Sequence, residues 1–286
     1  MKQVLWLFAT LLLFFIGDRL GGFFLAQQVK QSQFRYSRLY NQEAEAELLL
    51  VGNSRGLTFY QPYIESASGK SSFNLSYNGM SIDLAKVLVQ DYLDRYPAPK
   101  VMMLDITICD RPNDELAAAF LTYTRDSPRL DTFLRHKMPK MWWGAQVSSL
   151  TRYNNEVFQR ALYYRHRSDE DWLLDRVIAD KLAASVDQMS YGMNPGLVQP
   201  LQEMVAYAQA KGVLVQLVIG PYFPRFAQKI AHLDALKQVV EAATGLRVHD
   251  YRSALADPAA FGDLQHPNKK GSIQYIDLLR RDGVLP

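Results

Sequence analysis

One serine in this chain stands where a nucleophile would stand in a parallel α/β sheet. Ser54 lies in the glycine-flanked sequence GNSRG, residues 52–56, directly after the apolar run Leu48 to Val51. A short apolar run that ends in such a turn predicts a buried parallel strand. Ligands bind at the carboxyl ends of the strands in open α/β sheets. A hydroxyl at this position is a candidate nucleophile if a general base can reach it.

The chain has five histidines that could serve as a general base for Ser54. Only His266 follows an aspartate, Asp263, by three positions, in the sequence FGDLQHPN. Residues three apart on one turn can face the same side, so we expect Asp263 to hold Nδ1 of the imidazole and leave Nε2 for the serine. The spacing alone is common by chance. Its place after the last predicted strand and before a closing helix makes it more specific.

Each of these residues also has an ordinary structural interpretation. Ser54 could cap the following helix, Asp263 could cap the last helix, and His266 could be a surface loop residue. Taken together, on an alternating α/β pattern, they favour a catalytic role. A metal site from His249, Asp263 and His266 has no supporting spacing, so neither a metal nor a cofactor is predicted.

Apolar runs that alternate with helix-period segments place the chain in the α/β class. Such alternation predicts βαβ units and a mostly parallel sheet of five strands. The predicted strands are 48–51, 72–75, 100–109, 213–219 and 245–251, and the predicted helices are 82–96, 197–210, 233–243 and 271–281.

Between about residues 114 and 200 the alternation gives way to mostly helical patterns, which predicts a helical insertion at the carboxyl edge of the sheet. Trp142 and Trp143 lie in this insertion and are candidates for binding substrate, although aromatic rings there could equally form the insertion's own small core. Arg55 and Asn78, beside the predicted turns, are further candidates for substrate binding.

The amino-terminal segment predicts a membrane anchor over residues 1–26. An apolar run from Val4 to Gly17 is followed, after Asp18 and Arg19, by further apolar residues. A membrane span needs about 20 residues, so the segment suffices if these two charges pair or lie near the interface. A cleaved signal peptide is the alternative, but no clear Ala-x-Ala site follows. The polar residues 27–46 predict a helical stalk.

Composition and charge restrict the function classes. A net charge of +3 over 286 residues is too small to indicate nucleic-acid binding. The single cysteine, Cys109, excludes an intrachain disulfide and a multi-cysteine zinc site, and its apolar neighbours predict a buried thiol. Lys30, Arg35 and Arg38 after the anchor argue for a cytoplasmic domain by the positive-inside rule, a bias that long translocated domains override.

Three sequence blocks together resemble the SGNH (GDSL-type) hydrolases, a family of esterases built on a flavodoxin-like sheet. The family's first block, a serine after strand one, is similar to residues 52–55, and its second, a glycine after strand two, is similar to residues 78–79. Its last block, Asp-x-x-His, is similar to residues 263–268, DLQHPN. The resemblance extends from residue 47 to the carboxyl terminus, except for the insertion.

The resemblance implies a three-layer sandwich with a Ser-His-Asp triad. Ser54 would attack an acyl carbonyl, His266 would carry the proton, and Asp263 would orient the imidazole. Residues 52–56 also match the Gly-x-Ser-x-Gly pattern of α/β-hydrolases. That fold is disfavoured, because the serine follows the first strand and the acid and base lie three residues apart.

The resemblance also implies an oxyanion hole formed by the backbone amides of Ser54 and Gly79 with a third donor. The family's Gly-x-Asn-Asp block does not occur in that form after the third predicted strand. Asn113 is the candidate for this donor, and Thr107 or Asp110 could occupy its place instead.

Membrane-anchored proteins that resemble this layout are associated with cell-envelope polysaccharides. They hydrolyse acetyl esters or transfer acetyl groups to sugar hydroxyls, often beside a multispanning acyltransferase partner. This implies an acylated glycan substrate and a single-pass protein whose domain lies on the periplasmic or extracellular side. Two alternatives stay open: an anchored glycan-binding or assembly subunit with vestigial chemistry, and a lipid-directed esterase.

Overall fold

The computed structural model of the protein describes residues 2–169, 172–188 and 191–286. The strands in these residues are β1 (Leu48–Val51), β2 (Ser72–Asn74), β3 (Val101–Asp105), β4 (Tyr191–Gly192), β5 (Leu214–Ile219), β6 (Ile230–Ala231) and β7 (Val248–Asp250). The α-helices are α1 (Lys2–Lys30), α2 (Arg35–Tyr40), α3 (Gln61–Ser68), α4 (Ile82–Arg95), α5 (Asp114–Ala119), α6 (Pro128–Lys137), α7 (Pro139–Val147), α8 (Glu156–Tyr163), α9 (Asp180–Ala184), α10 (Val198–Ala210), α11 (Pro224–Ala227), α12 (Leu233–Thr244) and α13 (Lys269–Arg281).

A five-stranded sheet, in the order β2-β1-β3-β5-β7, has only parallel pairs, as the sequence predicted. Its order, counted within the sheet, is 2-1-3-4-5, a doubly wound arrangement. The four residues of β1 are 0–1% exposed, and successive side chains of a strand point to opposite faces, so both faces of the sheet are covered. On one face Leu48 and Leu50 pack with residues of α3 and α13.

The third strand is shorter than its apolar pattern predicted. The apolar run continues to Cys109, but β3 ends at Asp105 and residues 106–108 form a 3-10 turn. The Asp105 carboxylate accepts a hydrogen bond from the backbone N–H of Thr107, which favours a turn over an extended chain. This turn lies at the carboxyl edge of the sheet.

The chain forms two units. Unit 1 consists of Met1–Glu43 and Asp114–Asp169, and unit 2 consists of Ala44–Asn113 and Glu170–Pro286. The five-stranded sheet belongs to unit 2. The predicted insertion at about 114–200 is therefore shorter in the structure, since the chain rejoins unit 2 after Asp169. Residues 170–171 and 189–190 of the predicted insertion, and Met1 of the predicted anchor, lie outside the described residues.

Unit 1 begins with α1, a single 29-residue helix. By length and composition it is long and apolar enough to cross a membrane. The segment that follows is not the predicted helical stalk over 27–46. After α1 ends at Lys30, Ser32 Oγ donates to Ala161 O and accepts from the N–H of Phe34, which fixes a turn before α2. Phe34 and Tyr36 are then 0% exposed, so this segment forms part of the unit 1 core.

Candidate active site

The turn that carries Ser54 follows β1 at the carboxyl edge of the sheet. Its two flanking glycines allow backbone contacts that a side chain would prevent. A Cβ on Gly52 would lie 2.8 Å from Cα of Gly56, and a Cβ on Gly56 would lie 2.2 Å from Oγ of Ser76. The sequence GNSRG therefore describes a tight turn whose glycines are required by packing.

Asn53 fixes this turn through both atoms of its amide. Its Oδ1 accepts the N–H of Arg55 at 3.0 Å, and its Nδ2 donates to the carbonyl of Thr107 at 3.1 Å. The side chain is 4% exposed, so these bonds form in a protected environment. Ser54 is thereby held at the top of the turn, between two buried neighbours.

The structure brings Ser54, His266 and Asp263 into one hydrogen-bonded chain. His266 Nε2 lies 2.8 Å from Ser54 Oγ, and its Nδ1 lies 2.9 Å from Oδ1 and 3.0 Å from Oδ2 of Asp263. This is the arrangement the sequence predicted, for residues 212 positions apart in the chain. A hydroxyl, an imidazole and a carboxylate in this order can transfer a proton away from the hydroxyl.

Asp263 is held in its ionised form by local donors. Burial opposes the charged form, but the imidazole of His266 and the backbone amides of Gln265 and His266 all bond to this carboxylate and lower its pKa. Both amides donate to Oδ1 at 2.8 Å. Asp263 thus fixes the backbone turn at residues 263–266 and orients the imidazole ring of His266.

The alternative in which Asp263 caps the last helix is wrong. The amino end of α13 is capped by Asn268, whose Oδ1 accepts the N–H of Gly271 at 3.1 Å. Asn268 Nδ2 donates to the carbonyls of Ala259 and Arg176, so this buried residue also joins separate stretches of backbone. Asp263 is consequently available to His266.

Arg55 was predicted to bind substrate, and the structure shows a buried residue instead, 2% exposed. Its guanidinium donates to the carbonyl of Gln265 and, at 3.1 Å, to that of Pro221. Its Cζ lies 3.4 Å from the centre of the Tyr222 ring. Because Arg55 follows Ser54 and Gln265 precedes His266, one side chain connects the serine turn to the histidine loop.

Asp105 supplies the charge that faces this buried arginine, with Oδ2 at 3.8 Å from Nε of Arg55. The same carboxylate accepts from Thr107 Oγ1 at 2.5 Å and from the N–H of Gly220 at 3.2 Å. Thr107 is therefore committed to Asp105 and 0% exposed, which removes it as a third oxyanion donor. Asp110, the other alternative, accepts a hydrogen bond from the Tyr191 hydroxyl at 2.6 Å.

The predicted oxyanion donors are Ser54, Gly79 and Asn113. Within the described part of the chain, the backbone N–H groups of Ser54 and Gly79 donate no hydrogen bond. Gly79 has φ +68°, a left-handed conformation that glycine adopts without strain. Asn113 Nδ2 donates to the Gly79 carbonyl at 2.9 Å, so its amide lies against the Gly79 peptide.

A pocket of about 250 Å³ opens beside Ser54. Asn78 is exposed and lines it, in the region where the sequence predicted substrate contact. The residues that line the pocket are Ser54, Leu57, Thr58, Asn78, Trp172, Leu173, Leu174, Asp263, His266 and Pro267.

The segment Trp172 to Leu174 forms one wall of the pocket, a feature the sequence reasoning missed. The N–H of Lys269 donates to Leu174 O at 3.1 Å, and the Leu174 side chain fills space that a Cβ on Gly262 would occupy. The Trp172 ring lies 5.4 Å from that of Tyr77. The only signal in the sequence was an apolar Trp-Leu-Leu between charged residues.

Trp142 and Trp143 do not belong to the pocket lining around Ser54. In unit 1, Trp142 Nε1 donates to Asp131 at 2.7 Å, and its ring makes an edge contact with that of Trp143, which is 63% exposed. In unit 2, Trp172 lines the pocket beside Ser54, an aromatic side chain that the sequence prediction did not single out.

Cys109 is buried as predicted, and burial raises the pKa of its thiol. Among the described residues, no group of three histidine, cysteine, aspartate or glutamate side chains is arranged to hold a metal ion.

No family model matches this chain, and no curated protein matches it either. The fold and the site define a class on their own: an α/β protein with a mostly parallel five-stranded sheet and a serine-histidine-aspartate chain at its carboxyl edge.

Proposed function

We propose that the protein is a serine-dependent acyl-ester enzyme that works through an acyl-enzyme on Ser54. The observation that carries the proposal is the hydrogen-bonded chain from Ser54 through His266 to Asp263. In this chain Nδ1 of His266 bonds to the carboxylate and Nε2 to the hydroxyl. A histidine that was only a surface residue would not need both ring nitrogens bonded in this way. The proposal is also supported by the SGNH resemblance of the sequence blocks that contain these residues.

In the first half of the reaction, Ser54 Oγ attacks the acyl carbonyl carbon while its proton passes to Nε2 of His266. Asp263 keeps the other ring nitrogen protonated and stabilises the imidazolium that forms. The tetrahedral intermediate then collapses, the bond to the alcohol breaks, and the alcohol oxygen takes the proton from Nε2. In the second half, a water or a sugar hydroxyl gives its proton to Nε2 of His266 and attacks the acyl carbonyl carbon. The bond from that carbon to Ser54 Oγ then breaks, and Oγ takes the proton back from Nε2.

The backbone amides of Ser54 and Gly79 are the donors for the oxyanion, since neither has another acceptor in the described residues. Asn113, which contacts the Gly79 carbonyl, is the third donor of the proposal. One oxyanion donor contributes about 10²–10³ in rate, so two backbone donors already account for a large part of the rate enhancement.

Pocket size supports a short acyl group such as acetyl. At about 250 Å³, the pocket lies below the range of roughly 300–1,000 Å³ that drug-sized ligands occupy. The small pocket therefore favours a short acyl group over the long chain of a lipid ester. The indole of Trp172 and the exposed Asn78 offer an apolar face and an amide, the two kinds of contact that sugar rings use.

The proposed substrate is accordingly an acylated cell-envelope or extracellular glycan, and α1 is proposed as a single-pass anchor of the cytoplasmic membrane. The domain would then act on the periplasmic or extracellular side, and a multispanning acyltransferase is the proposed partner for transfer to sugar hydroxyls. These assignments follow from the SGNH resemblance and from the length and composition of α1.

A chain-length series of aryl esters, from acetate to octanoate, tests this proposal on the full chain in detergent. We expect turnover of the acetate, a steep decline with chain length, and loss of turnover in Ser54→Ala. Adding a soluble oligosaccharide acceptor measures transfer in the same samples. Equal turnover by wild type and Ser54→Ala would contradict the serine mechanism, and a preference for octanoate would contradict the short acyl group.

A further inference from the structure

Asp18, a charged residue within the apolar helix α1, is bonded to the turn that follows α7. Its carboxylate accepts from the Ser148 hydroxyl, from the N–H of Ser149 at 2.7 Å and from the N–H of Leu150 at 3.2 Å. These donors surround the charge from one side of the helix. The turn is therefore attached to α1 at the level of residue 18.

Arg19 also bonds to this turn, as a hydrogen-bond donor. Its guanidinium donates to Ser149 Oγ at 2.7 Å and to the carbonyls of Gln146 and Val147 at 3.2 and 3.1 Å. The helix and the turn are also in close contact, since a Cβ on Gly22 would lie 2.4 Å from Cβ of Ser149. We define residues 146–150 as the docking turn.

The docking turn contacts α1 within the part of the helix that would span a membrane. A span of about 20 residues that begins at Val4 ends at Phe23, so Asp18 lies inside the span, little more than one helical turn from its end. The side chains of Leu20, Phe23 and Phe24 are 65%, 63% and 62% exposed, which means that the apolar surface of α1 continues past the docking turn. If α1 spans a bilayer, the docking turn lies at the depth of the lipid.

The docking turn is suited to that depth because its backbone groups are satisfied. The carbonyls of Gln146 and Val147 accept from Arg19, and the N–H groups of Ser149 and Leu150 donate to Asp18. Irregular backbone enters an apolar medium only when its polar groups have partners of this kind. Pairing also reduces the cost of placing the two charges there.

Apolar side chains project outward from the docking turn and from the adjoining helix α7. Tryptophan is enriched at the membrane–water interface, and aliphatic groups are favoured just below it. The exposed side chains are Trp143 (63%) and Val147 (76%), four residues apart on one face of α7, and Leu150 (43%) in the docking turn. The exposed basic residues Arg135 and Lys140, close in sequence, are compatible with anionic headgroups.

We propose that the docking turn and the adjoining face of α7 are immersed in the same lipid layer as α1, so that unit 1 holds the bilayer through two surfaces. The partner is the bilayer itself, because this surface is continuous with the apolar surface of α1: Val147 and Leu150 line one groove with Leu13, Phe14 and Phe15. The inference rests on the proposed spanning role of α1 and is independent of the chemistry at Ser54.

Depth-dependent quenching tests this inference on the full chain, with one molecule in each lipid nanodisc. An environment-sensitive fluorophore is attached at Leu12→Cys in α1, at Val147→Cys in the docking turn, or at Val239→Cys, an exposed apolar position of unit 2. Cys109 is left in place because it is buried and its thiol pKa is raised, and the unsubstituted chain reports any background labelling.

We expect nitroxide lipids to quench the Leu12 and Val147 probes at least twofold more than the Val239 probe. Nitroxides near the headgroup should quench Val147 best, and nitroxides deep in the acyl chains should quench Leu12 best. If the Leu12 probe is quenched but the Val147 probe is quenched no more than the Val239 probe, the inference is overturned while the membrane span stands. Absence of quenching at Leu12 would overturn the span and the inference together, and neither result would alter acyl-ester turnover.

Discussion

Asp169 in unit 1 and Asp263 in unit 2 are both aspartates with strong hydrogen-bond partners, but their surroundings differ. Asp169 is 4% exposed and bonds to the backbone N–H, Nε and Nη2 of one residue, Arg35, which is equally buried. Asp263 is 27% exposed on its side chain and bonds to an imidazole whose other nitrogen faces a serine in a pocket. The first pair is buried and has almost no contact with solvent. The second pair is partly exposed to solvent and is hydrogen-bonded to the Ser54 hydroxyl.

This difference separates a structural ion pair from a candidate catalytic one. The Arg35–Asp169 pair connects the segment after α1 to the far end of the insertion, 134 residues later, and thereby completes unit 1. The Asp263–His266 pair joins neighbours three residues apart and contributes little to long-range connectivity. We expect equivalent substitutions in the two regions to affect different quantities.

Replacing Asp263 with asparagine should have the largest effect. The Asp263→Asn amide cannot stabilise an imidazolium and presents the wrong hydrogen-bonding pattern to Nδ1, so kcat/KM for an acetyl ester should fall about 10³–10⁴-fold. The free energy of unfolding in urea should change by less than about 1 kcal/mol, as for a partly exposed group. A fall in kcat/KM below about tenfold would contradict the role of Asp263.

The same substitution in unit 1, Asp169→Asn, should act on stability. Removing one charge of a buried pair typically costs about 3–5 kcal/mol, because the partner charge stays buried and unpaired. Urea denaturation should register this loss, while the folded protein keeps kcat/KM within about twofold. The double variant Arg35→Met with Asp169→Leu is the control and should recover much of the lost stability. A large loss of kcat/KM at unchanged stability would break the comparison.

Arg55→Lys should give a smaller effect on rate. Lysine keeps the charge but loses the planar fork that reaches both Gln265 O and Pro221 O. A displaced histidine loop should lower kcat about 10–100-fold with little change in KM. Arg35→Lys is the matched control, since it should lower the free energy of unfolding and leave kcat unchanged. If Arg55→Lys changed stability alone, Arg55 would be structural only.

The smallest effect concerns the pH dependence of stability at Asp263. Its pKa is lowered in the folded state, so the folded protein gains stability above the unfolded pKa of about 3.9 and loses it as the pH falls through the folded pKa. The stability difference between wild type and Asp263→Asn should therefore be constant from pH 7 to about pH 5 and should decline in more acidic solution. Urea titrations at several pH values measure it, and a difference that grows on acidification would contradict the lowered pKa.

Much of the fold and the core of the site could be predicted because their signals are local. The apolar run before Gly52 marked a strand, and the spacing of Asp263 and His266 placed acid and base on one turn. The orientation of Arg55 could not be read in this way. Its partners, Gln265 and Pro221, are distant in sequence, and an arginine beside a serine carries no sign that it points inward.

Contacts between distant segments account for the other errors. Trp172 reaches the pocket because Leu174 bonds to the backbone of Lys269, a pairing that no periodicity encodes. The stalk prediction is wrong for a similar reason, because Arg35, in the predicted stalk, is buried and pairs with Asp169, which is distant in sequence. In both regions a contact with a residue distant in sequence determines where the side chains lie.

Covalent labelling of Ser54 tests the central claim most directly. A fluorophosphonate reacts with a serine hydroxyl only when a neighbouring base activates it, whether the natural acceptor is water or a sugar. The full chain should gain one adduct, located by peptide mass spectrometry on Ser54, and the Ser54→Ala and His266→Ala variants should remain unlabelled. Failure of the folded wild-type chain to label, or equal labelling of Ser54→Ala, would contradict the proposed acyl-enzyme.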